Sequence, residues 1–189
     1  MQEDKKKLLM IDRDGVLIVN TPGNIRTPRQ LRLIPNAAEA IARLNRSGYR
    51  VAMCTNQPEV GRGVMTKREL DEVHDALERM LADRGAHIDL ILACTSVAKC
   101  PARKPAPGML LEALARFGAV PGETAFVGDQ TDDLAAAFHA GCRGVLVRTG
   151  LGAKTVAARI PAWLRPVAVA DDLAAAVAME LQRALPAAG

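Results

Sequence analysis

Short apolar runs alternate along the chain with longer segments in which apolar residues recur at helical spacing. The apolar runs predict six strands, at residues 8–11, 50–54, 88–93, 124–127, 144–147 and 167–169. The periodic segments predict helices at residues 36–47, 107–117, 133–140 and 173–185. A further helix follows Thr66, because Thr66 and Glu69 have the spacing of a capping box before the apolar stripe Leu70, Val73, Leu77 and Leu81. This alternation predicts an α/β fold, a doubly wound, Rossmann-like parallel sheet with helices on both faces.

The composition does not change along the chain, so we expect one domain over residues 1–189. Four segments lack periodicity, at residues 19–33, 56–65, 94–106 and 148–166. The intervals from Asp14 to Asn36 and from Thr55 to Arg103 leave no room for a large cap domain. We therefore expect one edge of the sheet to be bordered only by short loops.

Polar residues follow the predicted strands at the points where they end. They are Asp12 and Asp14, then Thr55, Asn56 and Gln57, then Arg103 and Lys104, and finally Asp129 with Asp133 four residues later. In a doubly wound sheet these strand ends share one edge, where ligands bind. A single acid there is commonly a helix cap, but several acids at one partly dry edge would repel one another without a cation. Oxygen ligands from Asp12, Asp14 and Asp129 suit Mg²⁺.

The same residues suit phosphoryl transfer. A carboxylate can attack phosphorus to form an aspartyl-phosphate, and Asp12, at the end of a strand, is the predicted nucleophile. Asp14 lies two residues later, in the turn, and is the predicted general acid and base. Lys104, the Thr55 hydroxyl, Mg²⁺ and backbone amides would hold the phosphoryl oxygens.

Four ordered motifs, DRDG, TNQ, RKPAPGML and GDQTDDL, resemble those of the haloacid dehalogenase superfamily of phosphohydrolases over roughly residues 8–152. Within that superfamily the chain is similar to the bacterial heptose-bisphosphate phosphatases and the related histidinol-phosphate phosphatases. The resemblance implies that Asp12 is the nucleophile, Asp14 the acid and base with its backbone carbonyl on the metal, Thr55 and Lys104 the phosphoryl-holding pair, and Asp129 a magnesium ligand.

Asp133 has two interpretations. It matches the acid that closes the fourth motif, so the resemblance implies a supporting role at the metal site. Its position at the start of a predicted helix equally favours a helix cap. The three histidines, His74, His87 and His139, fall outside the motifs and are predicted to be packing or surface residues.

The chain departs from these phosphatases in a loop that usually holds a structural zinc. They carry Cys-x-His and then Cys-x-Cys before Arg-Lys-Pro, whereas this segment reads ACTSVAKCPARKP. Cys94 and Cys100 remain, but Ser96 and Ala102 stand in place of a histidine and a cysteine. Two thiolates cannot complete a four-ligand zinc site, so we predict magnesium without structural zinc. A second departure is Pro58-Glu59, where Ser-Gly is commoner.

Composition and charge limit the possible binding partners and the cellular location of the protein. The net charge of +4 at pH 7 suits an anionic small molecule and would also suit weak contact with nucleic acid. Aromatic residues make up only 3% of the chain, which removes the base-stacking surface of single-strand binders and argues against nucleic acid. The apolar run at residues 8–11 is too short for a signal peptide or a membrane span, and the four cysteines show no framework spacing. We expect a cytoplasmic monomer with no membrane partner.

Two arginines favour a sugar bisphosphate as substrate, most of all a heptose bisphosphate cleaved at its 7-phosphate. Arg103 precedes Lys104, and Arg62 lies in the loop after the second strand. Because Mg²⁺, Thr55 and Lys104 already serve the transferring phosphate, arginine forks suggest a second anion that does not react. Arg62 could equally be a solvated loop residue. Histidinol phosphate and a DNA 3′-phosphate are the alternative substrates.

A phospho-acceptor receiver domain is the alternative from another functional class. Receivers also combine acids, a threonine and a lysine on a doubly wound sheet. Their phosphorylated aspartate follows the third strand, where this chain has Cys94, Thr95 and Ser96. An enzyme would release phosphate continuously, whereas a receiver would accumulate phosphoprotein.

Overall fold

The structure is a computed structural model that describes residues 7–21 and 24–184. Its strands form one sheet and are β1 (Leu8–Ile11), β2 (Arg50–Asn56), β3 (Leu90–Cys94), β4 (Ala125–Gly128), β5 (Arg143–Val147) and β6 (Ala168–Ala170). The strand order is β3-β2-β1-β4-β5-β6, and every pairing is parallel. After β3 the chain crosses to the other side of β1, so a topological switch point lies between β1 and β4. The predicted doubly wound parallel sheet is confirmed.

Different helices cover the two faces of this sheet. The helices are α1 (Ala37–Arg46), α2 (Pro58–Gly61), α3 (Lys67–Ala82), α4 (Gly108–Phe117), α5 (Thr131–His139), α6 (Gly152–Ala157) and α7 (Leu173–Arg183). Leu9 and Ile11 of β1 pack with α1, α3 and α7, whereas Leu8 and Met10 pack with α4 and α5. All four residues of β1 are at most 2% exposed. Burying each such side chain contributes about 1.5–3 kcal/mol, so β1 firmly anchors the residue that follows it.

Two element boundaries differ from the prediction where a side chain takes over a backbone hydrogen bond, and β2 extends two residues past its predicted end, to Asn56. The third strand begins two residues later than predicted, because the Asp89 carboxylate accepts the Val51 N–H at 2.8 Å. α5 begins two residues earlier, because Asp133 is its third residue and accepts the backbone N–H of Gln130 at 3.0 Å. α2 and α6 lie in segments predicted to be irregular. The last residue of the predicted C-terminal helix, Leu185, lies outside the described residues.

The carboxyl edge of the sheet carries no large cap domain within the described residues. Between β1 and α1 they contain one 3₁₀ turn, Pro28–Gln30, and two isolated bridges made by Ile18, with Asp14 and with Leu33. The predicted capping box is present, since Thr66 Oγ1 accepts the Glu69 N–H at 3.1 Å and Glu69 accepts the Thr66 N–H at 2.7 Å. Over residues 7–21 and 24–184, no helix has both the length and the apolar character needed to cross a membrane.

Candidate active site

Asp12 lies directly after β1, at the switch point of the sheet. Its backbone N–H donates to the Val127 carbonyl of β4 at 2.9 Å, which continues the strand pairing and fixes its position. The side chain is nearly dry, and one carboxylate oxygen accepts the Arg13 backbone N–H at 2.7 Å. The same oxygen lies 2.9 Å from the Lys104 ammonium. Asp12 is therefore an oriented carboxylate, as a nucleophile requires.

Lys104 pairs with two acids beneath the site. Its Nζ lies 2.9 Å from Asp12 Oδ1 and 2.7 Å from Asp133 Oδ1, and its side chain is 3% exposed. Burial disfavours the charged ammonium, but the two carboxylates outweigh burial and raise the pKa of Lys104. The Asn56 side chain brackets the Lys104 backbone, donating to its carbonyl at 3.0 Å and accepting its N–H at 3.1 Å. Lys104 is thus a fixed cation at the centre of the site, and Asn56 positions it.

Asp129 follows β4 and is completely buried. Its Oδ2 accepts the Leu151 backbone N–H at 2.7 Å, whereas Oδ1 has no hydrogen-bond partner among the described residues. Burial raises the pKa of Asp129 to about 7, and two nearby acids act in the same direction. Gly15 and Gly150 approach this carboxylate at positive φ, +78° and +60°, and a Cβ on either would collide with it. The chain encloses one oxygen and leaves the other for a further ligand.

Three acids come together at this point. Asp12, Asp129 and Asp133 each offer one oxygen, and these atoms lie within 4.8 Å of one another. A buried carboxylate oxygen without a partner, within a cluster of three acids, fits a hard divalent cation such as Mg²⁺. The cluster does not include the Asp14 side chain. The predicted contact of Asp14 with the metal is through its backbone carbonyl, and it stays a prediction.

Asp133 has both of the roles that its sequence position allowed. Its Oδ2 accepts the backbone N–H groups of Asp129 and Gln130 at 3.1 and 3.0 Å, which caps α5. Its Oδ1 pairs with Lys104. Burial raises the pKa of Asp133 to about 6, and the charge of Lys104 opposes that rise. Asp133 therefore supports the site through Lys104 and belongs to the acid cluster.

Asp14 is held by buried side chains. Arg13 is fully buried and donates from Nε to Asp14 Oδ2 at 3.0 Å and from Nη2 to Oδ1 at 3.2 Å. Gln57 Nε2 donates to Asp14 Oδ2 and to Thr55 Oγ1, both at 2.9 Å. Burial raises the pKa of Asp14, with the Arg13 charge opposing the rise and the Asp12 charge adding to it. A raised pKa favours the protonated carboxyl, the form in which a general acid acts.

His74, in α3, completes this network. Its Nε2 lies 3.3 Å from Nη1 of Arg13, and Nη2 of Arg13 also donates to Gln57 Oε1 at 2.8 Å. Burial lowers the pKa of His74 to about 4, and the positive charge of Arg13 is the second-largest cause. The imidazole is therefore neutral and accepts the Arg13 hydrogen bond. His74 is a packing residue, as predicted, but one that supports Arg13 and thereby Asp14.

A cavity of about 580 Å³ opens above these residues. The predicted site residues in its lining are Asp12, Asp14, Thr55, Asn56, Gln57, Arg103, Lys104 and Asp133. Arg103 is partly buried, and its Nη1 donates to the Ser96 carbonyl at 2.7 Å. Arg62 is absent from the lining that the described residues form; it is half exposed and pairs with Glu59 at 3.1 Å. The structure thus brings Arg103 to the cavity and leaves Arg62 beside it, with its charge balanced.

The cavity lining also contains eight residues that were not predicted individually, namely Asn20, Thr21, Asn24, Pro58, Glu59, Gln130, Asp132 and Leu151. Six of them lie in the segments 19–33, 56–65 and 148–166, which the sequence predicted to be loops. Asn24 donates from its side-chain amide to Glu59 and so joins the loops after β1 and β2. Asn20 Oδ1 and Thr21 Oγ1 are buried with no partner in the described part of the chain. Irregular loops carry no periodic signal, and Leu151 acts through a backbone N–H that any residue supplies. The available signals were the position of the loops after β1 and β2 at the edge where ligands bind, and the unusual pair Pro58-Glu59.

The chain is similar in sequence to known phosphatases. The model of the HAD-hydrolase-like family matches residues 101–176. A D-glycero-beta-D-manno-heptose-1,7-bisphosphate 7-phosphatase of Pseudomonas aeruginosa is 37% identical over 179 residues, which cover 94% of this chain and 99% of that protein. The enzyme of the same name from Bordetella bronchiseptica is 36% identical over 181 residues, with the same two coverages.

Solved structures agree with these relatives. The D,D-heptose 1,7-bisphosphate phosphatase of B. bronchiseptica, complexed with magnesium and phosphate, superposes with a TM-score of 0.89 at 36% identity over 94% of this chain and 99% of that one. The corresponding structure from Burkholderia thailandensis gives a TM-score of 0.73 at 35% identity, with coverages of 93% and 99%. The chain therefore belongs to the D-glycero-D-manno-heptose-1,7-bisphosphate 7-phosphatase family of haloacid dehalogenase-like phosphatases.

Proposed function

We propose that the protein is a magnesium-dependent phosphatase that removes the 7-phosphate of D-glycero-D-manno-heptose 1,7-bisphosphate through an aspartyl-phosphate on Asp12. The observation that carries this proposal is the buried group of Asp12, Lys104, Asp129 and Asp133 at the carboxyl edge of the sheet, with Asp14 held beside it. The names of the relatives support the substrate. Supply of nucleotide-activated heptose in the cytoplasm is the corresponding cellular role.

In the first step, an Asp12 oxygen attacks the phosphorus, and the bond to the sugar oxygen breaks. Lys104 and the Thr55 hydroxyl would hold the phosphoryl oxygens as charge shifts onto them. Lys104 is already charged and lies 2.9 Å from Asp12, so it can assist without any change in protonation. Its ion pair with Asp133 keeps the ammonium in place during this step.

Asp14 handles the protons in both steps. As a protonated acid it gives its proton to the leaving alkoxide, and as a carboxylate it then takes a proton from the water that attacks the aspartyl-phosphate. That attack releases inorganic phosphate and restores Asp12. The hydrogen bonds from Arg13 and Gln57 orient the Asp14 carboxyl toward this task.

Mg²⁺, when bound, would neutralise negative charge on the phosphate and so ease the approach of a carboxylate. Asp12, Asp129 and the backbone carbonyl of Asp14 are the proposed ligands, and Asp133 is the support. The unpartnered Asp129 Oδ1 favours this assignment. The magnesium and phosphate in the B. bronchiseptica structure support magnesium as the ion.

Arg103 is the proposed contact for the second, non-reacting phosphate. It lines the cavity beside Lys104 and carries a charge that no acid in the described residues pairs with at ion-pair distance. Arg62 is the other arginine that the sequence favours for this role, but its ion pair with Glu59 leaves it less suited to binding an anion. Histidinol phosphate would bring an ammonium and an imidazole, for which an arginine is a poor partner.

The decisive experiment is steady-state phosphate release across heptose 1,7-bisphosphate, a heptose monophosphate, histidinol phosphate and 3′-phosphorylated DNA, with Asp12→Asn as the inactive control. We expect the highest kcat/KM for the bisphosphate and dependence on added Mg²⁺. A preference for histidinol phosphate or DNA would overturn the substrate but keep the chemistry. Phosphoprotein without turnover would point to a receiver, although receivers of the flavodoxin-like type have the strand order 2-1-3-4-5, unlike this sheet.

Metal analysis tests the cofactor independently. Protein purified without chelators is expected to contain no stoichiometric zinc, and EDTA should abolish activity that Mg²⁺ restores. One zinc per chain would contradict our interpretation of the segment from Cys94 to Ala102.

A further inference from the structure

Two cysteines meet in the loop that leads to the proposed phosphate contacts. Cys94 is the last residue of β3, and Cys100 lies in the loop that continues to Arg103 and Lys104. Their sulfur atoms are 3.7 Å apart. The backbone of this loop is tied to the site, because the Cys94 carbonyl accepts the Gln57 N–H at 2.7 Å.

The two thiols differ in reactivity. Burial raises the pKa of the Cys94 thiol, and Cys94 is only 5% exposed. Cys100 is partly exposed. Desolvation opposes ionisation of Cys100, but hydrogen bonds from the Cys94 thiol and from the backbone amides of Arg103 and Ala102 outweigh it and lower its pKa. A thiol that ionises more readily than usual and that solvent can reach, next to a second thiol, is the arrangement of a reactive and a resolving cysteine.

The other two cysteines lack these properties. Cys54 lies inside β2, and burial raises its pKa to about 12. Cys142 has its pKa raised by burial to about 11, and its sulfur faces the Ala140 carbonyl. Neither is in hydrogen-bond contact with another sulfur within the described residues. The chain therefore offers an internal control at Cys142.

We propose that Cys94 and Cys100 are a reversible oxidation site at which a hydroperoxide forms an intramolecular disulfide. The Cys100 thiolate attacks the peroxide oxygen, the O–O bond breaks, and Cys100 becomes a sulfenic acid as the alkoxide or hydroxide leaves and takes a proton. Cys94 loses its proton and attacks that sulfur, which forms the S–S bond and releases water. The two thiols give up two electrons, the peroxide takes them, and a dithiol reductant reverses the reaction.

The disulfide would act on substrate binding more than on the chemical step. The sulfurs must approach from 3.7 Å to about 2.05 Å, so the segment between them has to shift. That segment holds the Ser96 carbonyl, which fixes the Arg103 guanidinium. Lys104 is bracketed separately by Asn56 and paired with two acids, so it should stay in place. This consequence rests on the proposed function, whereas the disulfide itself does not.

The test is to treat the whole reduced protein with excess hydrogen peroxide, then count thiols and map peptides by mass spectrometry. Of the four cysteines, two should disappear into a linked Cys94–Cys100 peptide. Cys142→Ser should still form the link, whereas Cys94→Ser should trap Cys100 as a sulfenic acid that dimedone captures. Cys100→Ser, at a partly exposed position, should give no reaction at either residue.

An unchanged thiol count, sulfinic acid on Cys100 with no disulfide, or links between chains would overturn the proposal. In kinetics, oxidation should raise KM for the bisphosphate by about tenfold, the scale of one weakened charge-assisted hydrogen bond, with kcat nearly unchanged. Dithiothreitol should restore KM, and Cys100→Ser should be insensitive to peroxide. A linked peptide with unaltered KM would overturn the regulatory consequence alone, and this outcome is distinct from a protein that has no phosphatase activity.

Discussion

The floor and the wall of the cavity are built in different ways. The floor, which we define as Asp12, Lys104, Asp129 and Asp133, is at most 5% exposed and is held by ion pairs and backbone N–H groups. The wall, defined as Asn20, Thr21, Asn24 and Arg103, belongs to loops, is partly or fully exposed, and includes buried oxygens without partners among the described residues. The floor is ordered before substrate arrives, whereas the wall keeps hydrogen-bonding capacity for it.

This difference follows from the energetics of charge. A charge taken out of water must be paired, so removing one floor residue leaves its partner buried and uncompensated. The charge on the wall, on Arg103, is only partly buried and has no acid partner among the described residues, so its removal leaves no buried charge uncompensated. A family can therefore exchange wall residues to change its substrate while the floor keeps its chemistry.

The largest effect is expected for Asp12→Asn in the floor. The amide cannot form the aspartyl-phosphate, so turnover should fall by roughly 10⁴-fold or more. Because Asp133 still pairs with Lys104, we expect the variant to remain folded. Phosphate release and the thermal unfolding temperature measure the two properties separately. A folded variant with wild-type activity would contradict the proposed nucleophile.

Asp14→Asn should have the next largest effect, since general acid–base catalysis contributes about 10²–10⁴-fold. With p-nitrophenyl phosphate, whose leaving group needs no proton, the rate of the first step should fall less. The aspartyl-phosphate would then accumulate, and a burst of p-nitrophenol would reveal it. Gln57→Leu keeps the carboxylate but removes one of its hydrogen bonds, so it should show a weaker loss with the same leaving-group dependence. Equal losses on good and poor leaving groups would exclude Asp14 as the acid.

His74 tests whether the side chains that hold Asp14 are shielded from water as completely as the floor residues are. The unfolded chain protonates His74 below about pH 6.5, whereas the folded protein resists protonation until about pH 4. The unfolded state thus binds more protons in that window, so stability falls as the pH drops from 6.5 to 4, by up to about 3 kcal/mol from this group. His74→Gln, which keeps an acceptor for Arg13, should lose less stability between pH 7 and pH 4.5. Urea midpoints measure this, and identical pH dependence would show that His74 is solvated.

The fold could be predicted well because apolar runs report burial directly. β1 is fully buried, as its four apolar residues indicated. The third strand was displaced by two residues because the Asp89 side chain bonds to the Val51 backbone, an interaction that periodicity does not reveal. α2 and α6 are short and have no apolar stripe, so they resembled loops.

Most of the floor could also be predicted, because motif spacing places Asp12 and Asp129 at strand ends, whereas Asp133 lies in α5 and its sequence position allowed two roles. The arrangement of hydrogen bonds could not. Nothing in the sequence shows that Leu151, 22 residues after Asp129, closes on that carboxylate through its backbone. Nor does it show that Gln57, predicted to bind substrate, has its amide occupied by Asp14, Thr55 and Arg13. Such contacts join distant loops through groups that carry no pattern.

The smallest effects are expected in and beside the wall, where Arg103 and Arg62 form a matched pair of arginines. Arg103→Ala should lower kcat/KM for the bisphosphate by about 10–100-fold, because a hydrogen bond to a charged group contributes about 1.5–3 kcal/mol. It should lower kcat/KM for the monophosphate much less, since the non-reacting phosphate is absent there.

Arg62→Ala should change either value by no more than about threefold, because Glu59 already balances its charge at a half-exposed position. If Glu59→Gln, which releases Arg62, improved binding of the bisphosphate, Arg62 would be within reach of the second phosphate after all. Equal losses for Arg103→Ala on both substrates would instead show that Arg103 serves the reacting phosphate, and so belongs with the floor.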